Sequence, residues 1–153
     1  MPARSEKHSI IAFQGSALGR IEIPAIGLST MIMEGVDGRT LRRGAGHIPG
    51  TPLPGQAGNI GIAGHRDTFF RALQNIRKED EITLETLSGI YRYRVDAIEV
   101  VNPEETRVLA NSGEEILTLV TCYPFSFVGP APKRFVVRAH ELTTTGVEQT
   151  RPM

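Results

Sequence analysis

Apolar residues recur at every second position in several short runs of this chain, and nowhere do they keep a helical spacing for more than two turns. From Gly19 to Pro24, Ile21 and Ile23 alternate with Arg20 and Glu22, which predicts a half-buried strand ended by proline. Ile26 to Met33 reads as its neighbour. Glu81–Glu85 and Ile90–Val101 predict a hairpin turning at Ser88-Gly89, with Tyr91, Tyr93 and Val95 on one face and Arg92, Arg94 and Asp96 on the other. Asn59–Ala63, the nearly continuous run Ile116–Cys122, and Phe135–Ala139 complete a set of about seven strands.

Between the strands lie only short helical signals. Asp37 offers an N-cap to Thr40-Leu41-Arg42-Arg43, Asp67 could cap a short helix carrying Phe69, Phe70 and Leu73, and Pro103–Leu109 reads as a helical turn with proline near its start. Gly44–Gly58 and Pro124–Pro132 are so dense in Gly and Pro that both are expected to be loops, their glycines serving turns. These segments are too short for regular βαβ crossovers, so the expected fold is mainly β: a closed, antiparallel-rich barrel of seven to eight strands with short helices in the connections. An N-terminal arm is expected over 1–18, the barrel domain over 19–142 and a polar tail over 143–153.

Composition agrees with this picture and excludes some functions. The 153 residues include 16 Gly, 10 Pro and no Trp, which suits one loop-punctuated β domain. Lys+Arg and Asp+Glu balance at 17 each, so no net field favours nucleic acid or an anionic membrane. No phosphate-binding loop or dinucleotide fingerprint occurs. No stretch approaches the ~20 apolar residues that span a bilayer, and no cleavable leader is visible.

The single cysteine, Cys122, ends the run Thr118-Leu119-Val120-Thr121-Cys122, and Arg134 and Arg138 follow in the next apolar run. A lone cysteine is commonly a small buried hydrophobe. Its setting here favours chemistry, because His65, Cys122 and Arg134 all fall where predicted strands begin or end, and a barrel gathers such positions on a rim. The residue types are those a thiol nucleophile needs. A free thiol is only a few per cent ionised at neutral pH. Histidine can move the proton, and an arginine, always charged, can hold an oxyanion. Asp67 could orient an imidazole, though capping suffices to explain it. His47, in the Gly/Pro loop, reads as a loop-organising residue, and His8 and His140 carry no signal. A zinc site from Cys122, His47 and His65 lacks any close ligand pair, so no metal and no cofactor are expected.

Three strings carry a resemblance: Thr118-Leu119-Val120-Thr121-Cys122, Ile62-Ala63-Gly64-His65 upstream, and Lys133-Arg134-Phe135-Val136-Val137 downstream. In the order His, Cys, Arg they resemble the sortase family of cysteine transpeptidases. Gly58–Phe70, Cys122-Tyr123-Pro124-Phe125 and Val128–Arg134 look most like class D members; the His-Pro that follows the cysteine in class E is replaced by Tyr123-Pro124. The resemblance implies cleavage of a surface protein after Thr in a C-terminal sorting motif of the Leu-Pro-x-Thr-Gly or Leu-Pro-x-Thr-Ala kind. Cys122 would carry the thioacyl group, His65 would be the acid/base, and Arg134 would hold substrate and oxyanion. Ala63 and Thr121 would line the substrate groove. An amine on a cell-wall precursor or a pilin lysine would be the acceptor. It also implies an extracytoplasmic protein, membrane-anchored outside this stretch, with the present chain as its soluble catalytic domain. Two alternatives remain open at this point: a thiol hydrolase using water, and a catalytically silent surface-binding barrel.

Overall fold

The alternation becomes eight strands that close on themselves. The computed structural model describes residues 13–66, 69–125 and 131–142. Its strands are β1 (Ala17–Ile23), β2 (Leu28–Glu34), β3 (Ala45–His47), β4 (Asn59–Ala63), β5 (Glu81–Thr86), β6 (Gly89–Val101), β7 (Ile116–Tyr123) and β8 (Lys133–Glu141). Around the barrel they run β1-β2-β3-β4-β7-β8-β6-β5, and β5 pairs back onto β1. Six of the eight pairings are antiparallel; β2–β3 and β4–β7 are parallel. Closure leaves no free edge for another chain to extend.

The period of two decides which side chains fill the barrel. Ile21, Ile32, Ile60, Ile62, Leu117, Leu119 and Val137 are fully buried in its core. The residues that follow Ile21, Ile62, Leu119 and Val137, namely Glu22, Ala63, Val120 and Arg138, take the outward positions. In β6 a bulge between Val95 and Ala97 shifts the register against β8. It leaves Asp96 to accept hydrogen bonds from Arg138 Nε (3.2 Å) and His140 Nδ1 (2.9 Å), so both side chains are held on the outer surface by one carboxylate.

Several expected boundaries move. β1 begins at Ala17, inside the expected arm, and Gly15 and Ser16 already exchange backbone hydrogen bonds with Glu34. The expected second strand is shortened at its start by a 3₁₀ turn, Pro24–Ile26, that puts Gly27 in the left-handed region at φ 69°. Asp37 caps the short helix α1 (Gly38–Arg43) as expected, its carboxylate accepting from the Thr40 N–H. The expected turn over Pro103–Leu109 is a 3₁₀ turn at Thr106–Leu109. Another 3₁₀ stretch, Phe69–Asn75, brings in Phe70 and Leu73 as core residues; Asp67, the expected cap, lies outside the described residues. No helix among the described residues is long and apolar enough to cross a membrane.

The expected loop Gly44–Gly58 contains a strand. β3 lies parallel to β2, with Glu34 opposite His47, and antiparallel to β4. Its glycines are required by proximity. A Cβ on Gly46 would overlap the Gly35 carbonyl oxygen, and one on Gly44 would overlap that of Met31.

Candidate active site

Cys122 and Arg134 are direct partners across the antiparallel β7–β8 ladder. Directly opposed residues present their side chains on the same face, with Cβ atoms about 4.5–5.5 Å apart. Since Leu117 and Leu119 point into the core, Cys122 and Arg134 stand on the outer face of the sheet. Both are half-buried. Arg134 Nη1 donates to the carbonyls of Ala131 (3.2 Å) and Lys133 (2.9 Å), which holds the guanidinium at the start of β8.

His65 reaches the same end from the other side of β7. In the parallel β4–β7 ladder the last pair is Ala63 with Val120. His65 lies two residues past Ala63, and Cys122 two residues past Val120. The two segments remain bound beyond the ladder: the Gly64 N–H donates to the Val120 carbonyl (3.1 Å), and Thr121 Oγ1 donates to the Gly64 carbonyl (2.7 Å). Carried two residues past the end of β4, the register places His65 alongside Cys122, whose partner on the other side is Arg134. After His65 the chain turns into the 3₁₀ stretch, and the Phe70 N–H closes the turn on the His65 carbonyl at 3.1 Å.

Gly64 makes this turn possible. A Cβ there would lie 2.6 Å from Phe70 Cγ, and Phe70 is fully buried. Gly64→Ala is expected to cost about 1–3 kcal/mol of stability by displacing Phe70. Because the same shift moves His65, a thermal melt and a turnover assay should fall together. A variant of wild-type stability would show that Phe70 has room to give.

Behind Cys122, on the barrel side of β7, Tyr123, Phe125 and Phe135 form an aromatic cluster. The Tyr123 and Phe135 rings stack at 5.9 Å between centroids, and Phe125 meets Phe135 edge-on at 5.1 Å. Ring pairs of this kind contribute about 0.5–1.5 kcal/mol each beyond the area they bury.

Among the other expected residues, Ala63 stands half-buried in the outward row of β4, two residues before His65. Thr121 is 2 % exposed, with its hydroxyl committed to Gly64. It thus touches the segment that carries His65. Arg138 lies four residues beyond Arg134, opposite Thr118 and paired with Asp96. His47 is remote from this row: it is buried in β3, its Nδ1 is 2.7 Å from Glu34 Oε1, and its Nε2 is 2.8 Å from the Pro52 carbonyl oxygen. With both ring nitrogens engaged by protein acceptors, it is not available as a metal ligand.

The sequence reading missed Glu34 and Asn59. Glu34 closes the apolar run Met31-Ile32-Met33, and Asn59 opens the buried run of β4. A polar residue at the end of a buried run is the only sequence signal either gives.

Comparison with known proteins agrees with this geometry. The family model for the sortase domain matches residues 21–142. Sortase D of Bacillus subtilis is 38% identical over 130 residues, which is 84% of this chain and 66% of that protein. The chain thus spans just under two thirds of the length of that relative. Among solved structures, a Clostridium perfringens Sortase D5 transpeptidase superimposes with a TM-score of 0.79 at 31% identity, covering 94% of this chain and 89% of that one. Sortase A from Corynebacterium diphtheriae gives 0.79 at 32% identity, covering 91% and 65%. With a closed eight-stranded barrel, an outward row of His65, Cys122 and Arg134, and relatives of class D among its matches, the chain belongs to the sortase family.

Proposed function

We propose that this chain is the catalytic domain of a class D-like sortase, a cysteine transpeptidase acting on surface proteins that end in a Leu-Pro-x-Thr sorting motif. The observation that carries the reading is the row of His65, Cys122 and Arg134 on one outward face. In it the nucleophile is flanked by an acid/base on one side and a fixed cation on the other.

In this reading Cys122 Sγ, as thiolate, attacks the carbonyl carbon of the motif threonine. A C–S bond forms and the carbonyl oxygen becomes an oxyanion, which Arg134 stabilises by charge and hydrogen bonding. Collapse breaks the peptide C–N bond, and His65, as imidazolium, gives its proton to the departing amine. The product is a thioester on Cys122. An acceptor amine, on a cell-wall precursor or a pilin lysine, then attacks the thioester. His65 takes the proton from that amine, and the thiolate leaves. Ala63 forms part of the groove floor, and Thr121 serves the groove from within by holding Gly64. The site of action is the cell surface, where such substrates are displayed.

The test is incubation with a quenched Leu-Pro-x-Thr peptide with and without an amine acceptor, with mass-spectrometric capture of the thioacyl enzyme. Cleavage, a thioester adduct on Cys122, and loss of about 10³-fold or more in Cys122→Ala are expected. Activity surviving in Cys122→Ala would overturn the mechanism. Product that added amine never redirects would make the enzyme a hydrolase.

A further inference from the structure

The outward row that holds Cys122 continues down β7 through Val120 to Thr118, and down β8 from Arg134 through Val136 to Arg138. The connection between β6 and β7, residues 102–115, leaves β6 beside Arg134, where Lys133 Nζ donates to Asn102 Oδ1 (2.6 Å), and runs back over the sheet to that far end. A cleft of about 180 Å³ opens beneath it, with Arg107, Val108, Asn111, Thr118, Val136 and Arg138 in its walls. Cys122 lies four residue steps along β7 from Thr118, about 13 Å. An extended peptide with its scissile carbonyl at Cys122, lying along β7, reaches this cleft about four residues from the cut.

One side chain fixes the overhanging wall. Asn59 is 4 % exposed, and its whole amide is spent on the connection and on β7: Nδ2 donates to the carbonyls of Val108 (2.9 Å) and Ala110 (3.1 Å), while Oδ1 accepts from Thr118 Oγ1 (2.6 Å). Its backbone N–H donates to Asn111 Oδ1 at 2.7 Å. Asn59 opens β4, the strand that leads to His65, and Thr118 lies on the strand that carries Cys122. The wall is therefore referenced to both reacting groups.

We infer that Asn59, oriented by Thr118, is a positioning residue that holds the 102–115 connection as one wall of the peptide groove and thereby sets substrate affinity. The inference rests on the transpeptidase reading for the identity of the peptide. Asn59 touches no reacting atom. Its loss should act on KM, because the wall contacts the peptide away from the bond that breaks.

Thr118→Val keeps the shape of the side chain and removes the hydroxyl that orients Asn59; Thr118→Ser keeps the hydroxyl; Asn59→Asp places a carboxylate oxygen against two carbonyls. Each is compared with wild type in peptide cleavage, and in amide hydrogen exchange over residues 106–111, which needs no activity. For Thr118→Val and Asn59→Asp, KM is expected to rise about tenfold, with kcat within about threefold and exchange faster by a similar factor. Thr118→Ser should behave as wild type. Faster exchange with unchanged KM would overturn the recognition role, and unchanged exchange would overturn the anchoring. Should Asn59→Asp fail to fold, the valine and serine pair decides alone. A wild type that cleaves no sorting peptide overturns the transpeptidase reading and the recognition role with it, and is told apart from the other failures because the variants are not needed to see it.

Discussion

Replacing Arg134 by lysine is expected to lower turnover of a sorting peptide by about 10²–10³-fold, the size of effect seen when one oxyanion donor is removed. The register makes this residue the one cation opposite Cys122. Its guanidinium is planar and already anchored: Nη1 donates to the Ala131 and Lys133 carbonyls, so that contact with the backbone sets its orientation before substrate arrives. An ammonium on a flexible stem retains the charge but cannot keep two backbone contacts and offer a fork to substrate at the same time. Arg134 is half-buried and belongs to no core cluster, so the melting temperature is expected to stay within about 2 °C of wild type. Near-normal kcat would remove the guanidinium from the mechanism. Arg138 could not inherit the role, because it lies four residues farther along β8 and its Nε donates to Asp96.

The row itself shows which parts of such a site can be read from sequence. Alternation in Ile21–Ile23 and Tyr91–Val95 marks inward and outward positions, and it made the barrel legible strand by strand. Cys122 and Arg134 were legible as strand-end residues, since a thiol closing a buried run and an arginine opening the next are local patterns. What brings His65 beside them is the parallel pairing of β4 with β7, which joins residues more than fifty positions apart. Nothing local encodes that pairing. β3 was hidden for a related reason. Its Ala-Gly-His has no alternation to offer, and it is a strand because β2 and β4 lie on either side of it. The neighbouring glycines looked like turn formers, yet at Gly44 and Gly46 they are needed so that backbones can approach. Asn59 was legible only as the first residue of a strand, because its partners, Val108, Ala110 and Thr118, lie about fifty residues or more ahead.

His47 illustrates the same limit and carries the largest expected effect on stability. In sequence it sits among Gly and Pro; in the fold it is 2 % exposed and faces Glu34, itself 8 % exposed. Nε2 faces the carbonyl oxygens of Pro52 (2.8 Å) and Thr51 (3.1 Å), which can only accept, so Nε2 carries hydrogen. The Nδ1–Oε1 contact of 2.7 Å then needs one proton between the two atoms, held by either. Whichever atom holds it, the pair is neutral and both ring nitrogens of His47 have partners. His47→Ala destroys that balance by leaving a buried carboxyl group without its partner, and is expected to cost about 3–5 kcal/mol by chemical denaturation. The loss should reach β4 as well, because Thr51 Oγ1, 3.0 Å from His47 Nε2, accepts from the Gly61 N–H. Glu34→Leu should also destabilise, since it strands the imidazole. In the double variant the two costs should overlap, with a coupling of about 1–3 kcal/mol, because removing both partners leaves no orphan. Strict additivity, or a cost below about 1 kcal/mol for His47→Ala, would mean that water satisfies the survivor and that β3 is held by its ladder alone.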